Sequence, residues 1–309
     1  MMIGVAGGNV NHSALLIDVD STIPNLALMH ISTWKKQEGY NVGWGIKTPN
    51  EVYASIVFKK NRNAAVLIKA LYPTAQVDIG GSGIDLVKKL PDEVDLMMPD
   101  YSLYPAWHSD LGFTSRGCGR SCYFCIVPKK EGKFKINQHP KDFHDRTHKS
   151  IVLMDNNILW DKDWFLEVTD WIIQNNLKVD FNQGLDLRLM DKDIAKRISE
   201  LKPIDSWHFA FDSMDYKDSV ISGLKLLKDA GVNIRTRCNV YVYLHNDEQT
   251  PDALERCEIL RNIGTLPYIM VNRDTPRTHR MTDLKRWTRP QIFFSTDFKD
   301  YKKGLRGVV

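Results

Sequence analysis

Three of the five cysteines in this 309-residue chain fall close together, at Cys118, Cys122 and Cys125. Their C-x3-C-x2-C spacing places three thiols in one short segment, with no fourth cysteine nearby. Thiolates are the usual ligands of iron–sulfur clusters, and a four-iron cluster held by three of them keeps one iron open. Structural zinc commonly uses two distant C-x2-C pairs, and the second pair is missing here. The spacing therefore favours a [4Fe–4S] cluster on these three cysteines.

Polar residues follow three predicted strands further along the chain. In enzymes built from βα units, the loops at the C-terminal ends of the strands carry the chemistry, so these residues are candidates for a pocket beside the cysteines. The candidates are Asp155 and Asn156 after Ile151–Met154, Arg188 after Val179–Asn182, and Asp212 after His208–Phe211. For Asp155, Asn156 and Asp212 the alternative role is turn formation. For Arg188 the alternative is an ion pair with Asp186 or Asp191.

The elements that would position these residues alternate regularly between strand and helix. Between residues 106 and 272 the rhythm predicts six strands, which would form a partial (βα)6 barrel. The predicted strands are Gly112–Ser115, Ile151–Met154, Val179–Asn182, His208–Phe211, Asn233–Tyr243 in part, and Tyr268–Val271. The predicted helices are Asp163–Gln174, Asp191–Leu201, Asp218–Ala230 and Pro251–Ile263.

The first hundred residues show a second, smaller alternation. Apolar runs predict strands at Ala14–Val19, Asn41–Trp44, Val52–Phe58 and Gln76–Ile79, with a helical face over Leu26–Trp34. The sequence thus predicts an α/β protein with a Rossmann-like domain at 1–105 and a partial barrel at 106–272. Residues 273–309 show no clear period, and we expect them to be a C-terminal extension lying over the barrel.

Composition excludes several classes of protein. The chain is 43% hydrophobic and 26% charged, which is typical of a globular protein and excludes disorder. No apolar run reaches the ~18 residues of a membrane span, so we expect no membrane partner. Residues 1–13 lack a basic stretch followed by an apolar core, so we expect no secretory signal and a cytoplasmic location. The net charge of +4 is too small to indicate a partner, and we favour a solvated face over a nucleic-acid patch for the basic stretch Arg273–Arg289.

The run Thr114-Ser115-Arg116-Gly117-Cys118, followed by Cys122-Tyr123-Phe124-Cys125, resembles the cluster motif of the radical S-adenosylmethionine (SAM) superfamily. The resemblance covers about residues 110–272. It implies an enzyme whose reduced [4Fe–4S] cluster cleaves bound SAM to a 5′-deoxyadenosyl radical, which abstracts hydrogen from a substrate. It also implies that Phe124 lies near the adenine and that SAM is contacted by Asp155, Asn156, Arg188 and Asp212.

The same resemblance bears on cofactors and partners. It implies an electron donor such as flavodoxin or ferredoxin, whereas the substrate and any catalytic base or hydrogen donor stay unknown. The segment Ile23–Leu28 and the turn Gly80–Gly83 resemble the cobalamin-binding type of domain that precedes many such barrels. The D-x-H-x-x-G signature that supplies the cobalamin histidine is absent, so we expect no cobalamin.

Two other classes of function stay open. One is an iron–sulfur protein of electron transfer or sensing, which would show cluster redox signals and form no 5′-deoxyadenosine. The other is a zinc-stapled protein that binds nucleic acid through its basic tail, which would be colourless and bind with a strongly salt-dependent affinity.

Overall fold

The computed structural model describes residues 12–272 and 275–301; the parts of the predicted domains at 1–11, 273–274 and 302–309 lie outside them. The chain is mixed α/β with mainly parallel sheets, which confirms the predicted class. It divides into two compact units, Met1–Leu111 with Lys141–Arg146, and Gly112–Pro140 with Thr147–Val309. Among the described residues, no helix has the length and apolar character needed to cross a membrane.

Unit 1 is built on one parallel sheet. Its strands are β1 Ser13–Asp18, β2 Asn41–Gly43, β3 Glu51–Ser55 and β4 Gln76–Gly80. Its helices are α1 Leu26–Gln37, α2 Ala64–Leu71 and α3 Asp92–Asp95. The strand order is β2-β1-β3-β4, and every neighbouring pair is parallel. The predicted positions of the four strands and of helix α1 are confirmed.

Helix α1 begins at a polar side chain that also contacts the C-terminal end of a strand. Asn25 is the N-cap, and its side-chain oxygen accepts a hydrogen bond from Leu28 N at 3.1 Å. Its amide donates to Ser55 Oγ at the end of β3. One asparagine therefore fixes the start of the helix relative to the sheet.

The short segment 141–146 completes unit 1 from a distance in the sequence. Asp110 is fully buried, and its carboxylate contacts His144 Nδ1 at 2.5 Å and accepts from Asp145 N at 2.9 Å. Tyr101 Oη donates to Phe143 O. A buried carboxylate needs such partners, and this return segment supplies two of them.

Unit 2 contains the longer series of strands and helices. Its strands are β5 Asp110–Gly112, which crosses the unit boundary, β6 Ser115–Arg116, β7 Lys135–Ile136, β8 Ser150–Leu153, β9 Lys178–Phe181, β10 Lys202–Pro203, β11 Trp207–Ala210, β12 Cys238–Leu244 and β13 Leu266–Val271. Its helices are α4 Val127–Lys130, α5 Lys162–Gln174, α6 Lys192–Glu200, α7 Lys217–Asp229, α8 Ile234–Arg237, α9 Thr250–Ile263, α10 His279–Trp287 and α11 Pro290–Phe293.

The strands of unit 2 form two parallel sheets and one ribbon. The sheets have the orders β10-β9-β8-β5 and β11-β12-β13, and a parallel bridge between Leu185 and Phe209 connects them. β6 and β7 form a separate antiparallel ribbon. On β8 three successive apolar side chains are buried, whereas on β9 and β12 buried residues such as Val179 and Val240 alternate with residues that are half-buried or exposed. Helices therefore cover one face of these two strands more completely than the other.

Two predicted strands of unit 2 are wrong in part. The predicted strand Gly112–Ser115 is split, because β5 ends at Gly112 and β6 begins at Ser115. The segment predicted in part as strand from Asn233 begins with the helical turn α8, because the Asn233 side chain accepts from Arg235 N and Thr236 N. Residues 273–309 show no clear period in the sequence, yet the described residues 275–301 contain the helices α10 and α11. The end of α10 is fixed by Trp287, which is fully buried and donates through Nε1 to Thr296 O.

A buried arginine ties together the ends of β11 and β12. The Arg256 side chain is 1% exposed, and it donates to Phe211 O at 2.6 Å and to Tyr243 O at 3.2 Å. Asp252, which is half-exposed, completes an ion pair at 2.7 Å. Phe211 directly precedes Asp212, one of the candidate site residues. Arg256 therefore fixes the C-terminal ends of β11 and β12 next to the candidate site.

We expect Arg256→Met to lower the free energy of unfolding by about 3 kcal/mol or more, since a hydrogen bond from a charged donor contributes about 1.5–3 kcal/mol. Urea unfolding measures the change. The control Asp252→Asn removes only the exposed partner and should cost about 1 kcal/mol. Equal losses in both variants would show that the carbonyl bonds contribute nothing.

Candidate functional site

The three motif cysteines lie in one loop, residues 117–134, which we call the cysteine loop. The ribbon of β6 and β7 closes it, pairing Ser115 with Ile136 and Arg116 with Lys135. Just inside the ribbon, Cys118 N donates to Gly132 O at 3.2 Å. The loop is thus an excursion with a fixed neck, and its thiols are held near that neck.

Two glycines let the loop pass close to its neighbours. Gly117 has φ +77°, and a β-carbon there would lie 2.2 Å from Lys133 O. At Gly119 a β-carbon would lie 1.9 Å from the Trp160 ring. Residues other than glycine rarely adopt the positive φ of Gly117. In addition, the Lys133 carbonyl belongs to the backbone next to the ribbon, so it cannot easily move away from a β-carbon at residue 117. The motif therefore needs glycine on both sides of Cys118.

A fully buried carboxylate fixes the entry to the loop. Asp155 follows β8 and accepts hydrogen bonds from the amides and hydroxyls of Thr114 and Ser115, at 3.0 Å for Thr114 N and 2.6 Å for Thr114 Oγ1. Complete burial raises the pKa of Asp155, whereas these hydrogen bonds oppose the shift. The predicted SAM contact therefore uses its carboxylate to hold the strand that leads into the cysteine loop.

The next two residues reach the loop itself. Asn156 Oδ1 accepts from Gly117 N at 2.8 Å. Asn157 Nδ2 lies 3.5 Å from Cys118 Sγ and 3.3 Å from Asp186 Oδ2. Asn157 is 5% exposed, and among the described residues its Oδ1 has no hydrogen-bond partner. A buried acceptor without a partner costs free energy, so this oxygen is suited to a donor on a ligand.

An ion network links the loop to the segment after β9. Asp186 accepts from Arg120 Nε at 2.7 Å and from Arg188 Nε and Nη2 at 2.6 and 2.9 Å. Burial opposes ionisation of Asp186, but Arg188 and Arg120 hold its pKa below the usual range. Arg188 also stacks over the Tyr216 ring at 4.3 Å. The alternative of an ion pair between Arg188 and Asp186 is therefore the arrangement found.

Aromatic contacts hold the other side of the loop. The Phe124 ring stacks on Tyr243 of β12, with centroids 4.5 Å apart and planes at 26°. Gln249 Nε2 donates to Tyr123 Oη at 3.0 Å. Asp212 accepts from Tyr243 N at 3.0 Å, and burial raises its pKa while Arg256 and Arg188 oppose the shift. Phe124 and Asp212 thus approach the same residue of β12.

The thiols themselves are partly exposed and receive amide hydrogens. Cys118 Sγ accepts from Arg120 N, and Cys125 Sγ accepts from Val127 N, both at 3.4 Å. Burial raises the pKa of Cys125, as do the nearby thiols of Cys122 and Cys118. Within the described part of the chain, no three His, Cys, Asp or Glu side chains converge on a single ion position.

The structure brings together every residue that the sequence nominated. The loops after β8, β9 and β11 all contribute, as expected for the C-terminal ends of parallel strands. One participant, Arg120, was not nominated, although it stands inside the cysteine motif. Asn157 belongs to the polar run Asp155-Asn156-Asn157 after β8, for which the sequence favours a place in the SAM site over a turn. Comparison with known proteins adds no relative, because no protein-family model matches the chain and no curated protein is significantly similar to it.

We expect Gly117→Ala to open the neck of the cysteine loop, because the new β-carbon meets the Lys133 carbonyl. Hydrogen exchange followed by mass spectrometry should show faster exchange across residues 117–134. Gly132→Ala is the matched control, since Gly132 has φ +81° but no atom near its β-carbon position. That variant carries only the backbone strain of about 1–2 kcal/mol. Identical exchange in the two variants would contradict the close approach at Gly117.

Proposed function

We propose that this protein is a radical SAM enzyme. Cys118, Cys122 and Cys125 would ligate a [4Fe–4S] cluster, and SAM would bind beside it at the C-terminal ends of the strands of unit 2. The observation that carries the proposal is the buried Asn157 side chain, whose Nδ2 lies 3.5 Å from Cys118 Sγ and whose Oδ1 has no hydrogen-bond partner among the described residues.

The fold supports the proposal. Six parallel strands of unit 2 follow one another as β5, β8, β9, β11, β12 and β13, with helices between most of them. We interpret this series as a partial (βα)6 barrel, and the parallel sheet of unit 1 as a Rossmann-like domain. Both interpretations agree with the resemblance of the cysteine motif. Buried His30 lies within α1, 3.8 Å from Asp95, so unit 1 presents it poorly as a cobalamin ligand.

The donor set suits the cluster. A four-iron cluster takes one thiolate at each iron, so its cysteines need not converge on one ion. Backbone amides already point at the sulfurs of Cys118 and Cys125, and such hydrogen bonds stabilise thiolate charge. Three cysteines leave one iron for the amino and carboxylate groups of SAM. Bound there, the cluster and SAM would supply the 5′-deoxyadenosyl radical, with electrons from a reductant such as flavodoxin or ferredoxin.

The chain's own residues would bind and orient SAM. Asn157 Oδ1 would accept from the ammonium group, and the Phe124 ring, backed by Tyr243, would contact the adenine. Asp212 would contact the ribose hydroxyls of SAM. Arg188 would contact the SAM carboxylate, and it would have to share its guanidinium with Asp186, its present partner.

The first test concerns the cluster. After anaerobic reconstitution, the wild-type protein should hold about four irons at this site and be brown. Cys122→Ala should abolish this absorption, and Cys238→Ala, which removes a buried cysteine far from the motif, should leave it intact. Iron retained in Cys118→Ala, Cys122→Ala and Cys125→Ala alike, or stoichiometric zinc in a colourless protein, would refute the assignment.

The second test separates two neighbouring asparagines. Asn156→Leu removes the acceptor for Gly117 N, so iron content should fall. Asn157→Leu should keep more of the iron and weaken SAM binding by about 10-fold or more, because a hydrogen bond from a charged donor contributes about 1.5–3 kcal/mol. Equilibrium dialysis with labelled SAM measures the affinity.

Turnover is measured on the same samples. Wild-type protein with dithionite and SAM should form 5′-deoxyadenosine, and Asn157→Leu should form it slowly at low SAM and recover at high SAM. Cluster redox signals without any 5′-deoxyadenosine would identify an electron-transfer or sensing protein instead. A stoichiometric, tight complex with hydroxocobalamin would refute the expectation that no cobalamin binds.

A further inference from the structure

One face of the sheet β11-β12-β13 carries large side chains that stay partly exposed. Along β12, buried Val240 and Val242 alternate with half-buried Tyr241 and Tyr243. Since successive side chains of a strand point to opposite faces, the tyrosines share the face that the helices do not cover. The parallel register places Tyr241 beside Tyr268 on the edge strand β13, a residue that is 50% exposed.

Three rings on this face contact one another, and we call them the aromatic wall: His208, Tyr241 and Tyr268. His208 stacks on Tyr241 with centroids 5.3 Å apart and planes at 18°. Tyr241 meets Tyr268 edge-on at 5.6 Å. The stacked pair of His208 and Tyr241, with Tyr268 standing edge-on beside it, therefore offers aromatic surface on which a planar ligand can stack.

The wall also has hydrogen-bonding groups at its edge. Asp180 of β9 places its Oδ1 3.7 Å from His208 Nδ1. Burial raises the pKa of Tyr241, and the nearby Asp180 and Tyr268 act in the same direction. On the opposite side, Lys285 Nζ lies 5.4 Å from the centre of the Tyr268 ring. An anionic acceptor and a cationic donor thus flank the rings.

The position of the wall relates it to the cysteine loop. Tyr243, which stacks on Phe124, lies two residues further along β12 than Tyr241. At ~3.3 Å per residue, the wall is about 7 Å nearer the start of the strand than the Phe124 contact. If SAM binds as proposed, a ligand on the wall would therefore lie one layer of side chains nearer the start of β12 than the adenine of SAM.

We propose that the aromatic wall binds the base of a guanine nucleoside or nucleotide, which would be the substrate. This inference rests on the proposed function for its catalytic meaning, but binding can be tested without it. Stacking of a base on the rings supplies affinity, and a carboxylate accepts from adjacent N–H groups. Guanine alone among the common bases offers two neighbouring donors, N1–H and the 2-amino group, to one carboxylate such as Asp180. Lys285 suits its O6 or a phosphate.

The test titrates the full, anaerobically reconstituted chain with 5′-GMP, guanosine and 5′-IMP, which lacks the 2-amino group, by calorimetry. We expect GMP or guanosine to bind at least about 10-fold more tightly than IMP, the value of one charged hydrogen bond. Equal affinity for the two nucleotides, or no binding of GMP and guanosine at millimolar concentration, would overturn the proposal.

Variants locate the site. Tyr268→Leu, on the edge strand, and Tyr241→Leu should each weaken GMP binding by about 5- to 150-fold, the range found when a stacking ring is removed. Asp180→Asn should abolish the preference for GMP over IMP. Lys178→Ala, an exposed position on the same strand β9, is the matched control and should change nothing. Unchanged GMP affinity in both tyrosine variants would overturn the proposal, even if one variant folds less well than the other.

Competition with SAM separates the wall from the adenine site. If SAM displaces GMP and Tyr241→Leu weakens both ligands equally, the wall holds the adenine of SAM and the inference is wrong. Iron content and 5′-deoxyadenosine are measured on the same samples. Normal values without GMP binding would refute the inference alone, whereas GMP binding without cluster or 5′-deoxyadenosine would refute the proposed function alone.

Discussion

The geometry of the candidate site depends on one buried carboxylate, that of Asp155. Four donors from Thr114 and Ser115 converge on it, so the chain that enters the cysteine loop cannot shift relative to the end of β8. A carboxylate without contact to solvent is stable only when its oxygens accept hydrogen bonds. The hydrogen bonds that offset the cost of burying Asp155 therefore also set the position of Cys118, which lies three residues after Ser115.

The rest of the loop is fixed by contacts of different chemical kinds. Asn156 holds the neck, the ion network of Arg120 and Asp186 holds the span between the first two cysteines, and Phe124 packs on Tyr243. Each contact comes from a different strand end. These anchors keep the thiols in place although residues 117–126, which carry all three cysteines, form no helix or strand. A segment that binds a cluster needs its ligands held in this way.

Much of this arrangement could be predicted from the sequence, because apolar runs and caps are local signals. The strands at Ile151, Val179 and His208 and the helices between them lie where periodicity placed them. The turn at Asn233 was missed because one side chain competes with strand pairing over four residues, a distance too short for periodicity to register. Helix α10 was missed because it packs through Trp287 on Phe293 and Phe298, which lie beyond its own end and add nothing to its period. At the site, the participants were predictable, but the choice between their partners was not. The sequence left Arg188 with SAM, Asp186 or Asp191, and the coordinates show Asp186.

The return segment 141–146 has a consequence for the order of events during synthesis. N-terminal domains generally fold first as the chain leaves the ribosome. Here the buried Asp110 receives its partners His144 and Asp145 only after the whole cysteine loop has been made. The three thiols are therefore already present in the nascent chain while unit 1 still lacks its last polar contacts. The cysteine loop becomes ordered only after the rest of unit 2, including Asp155, Asn156 and Asp186, has been synthesised.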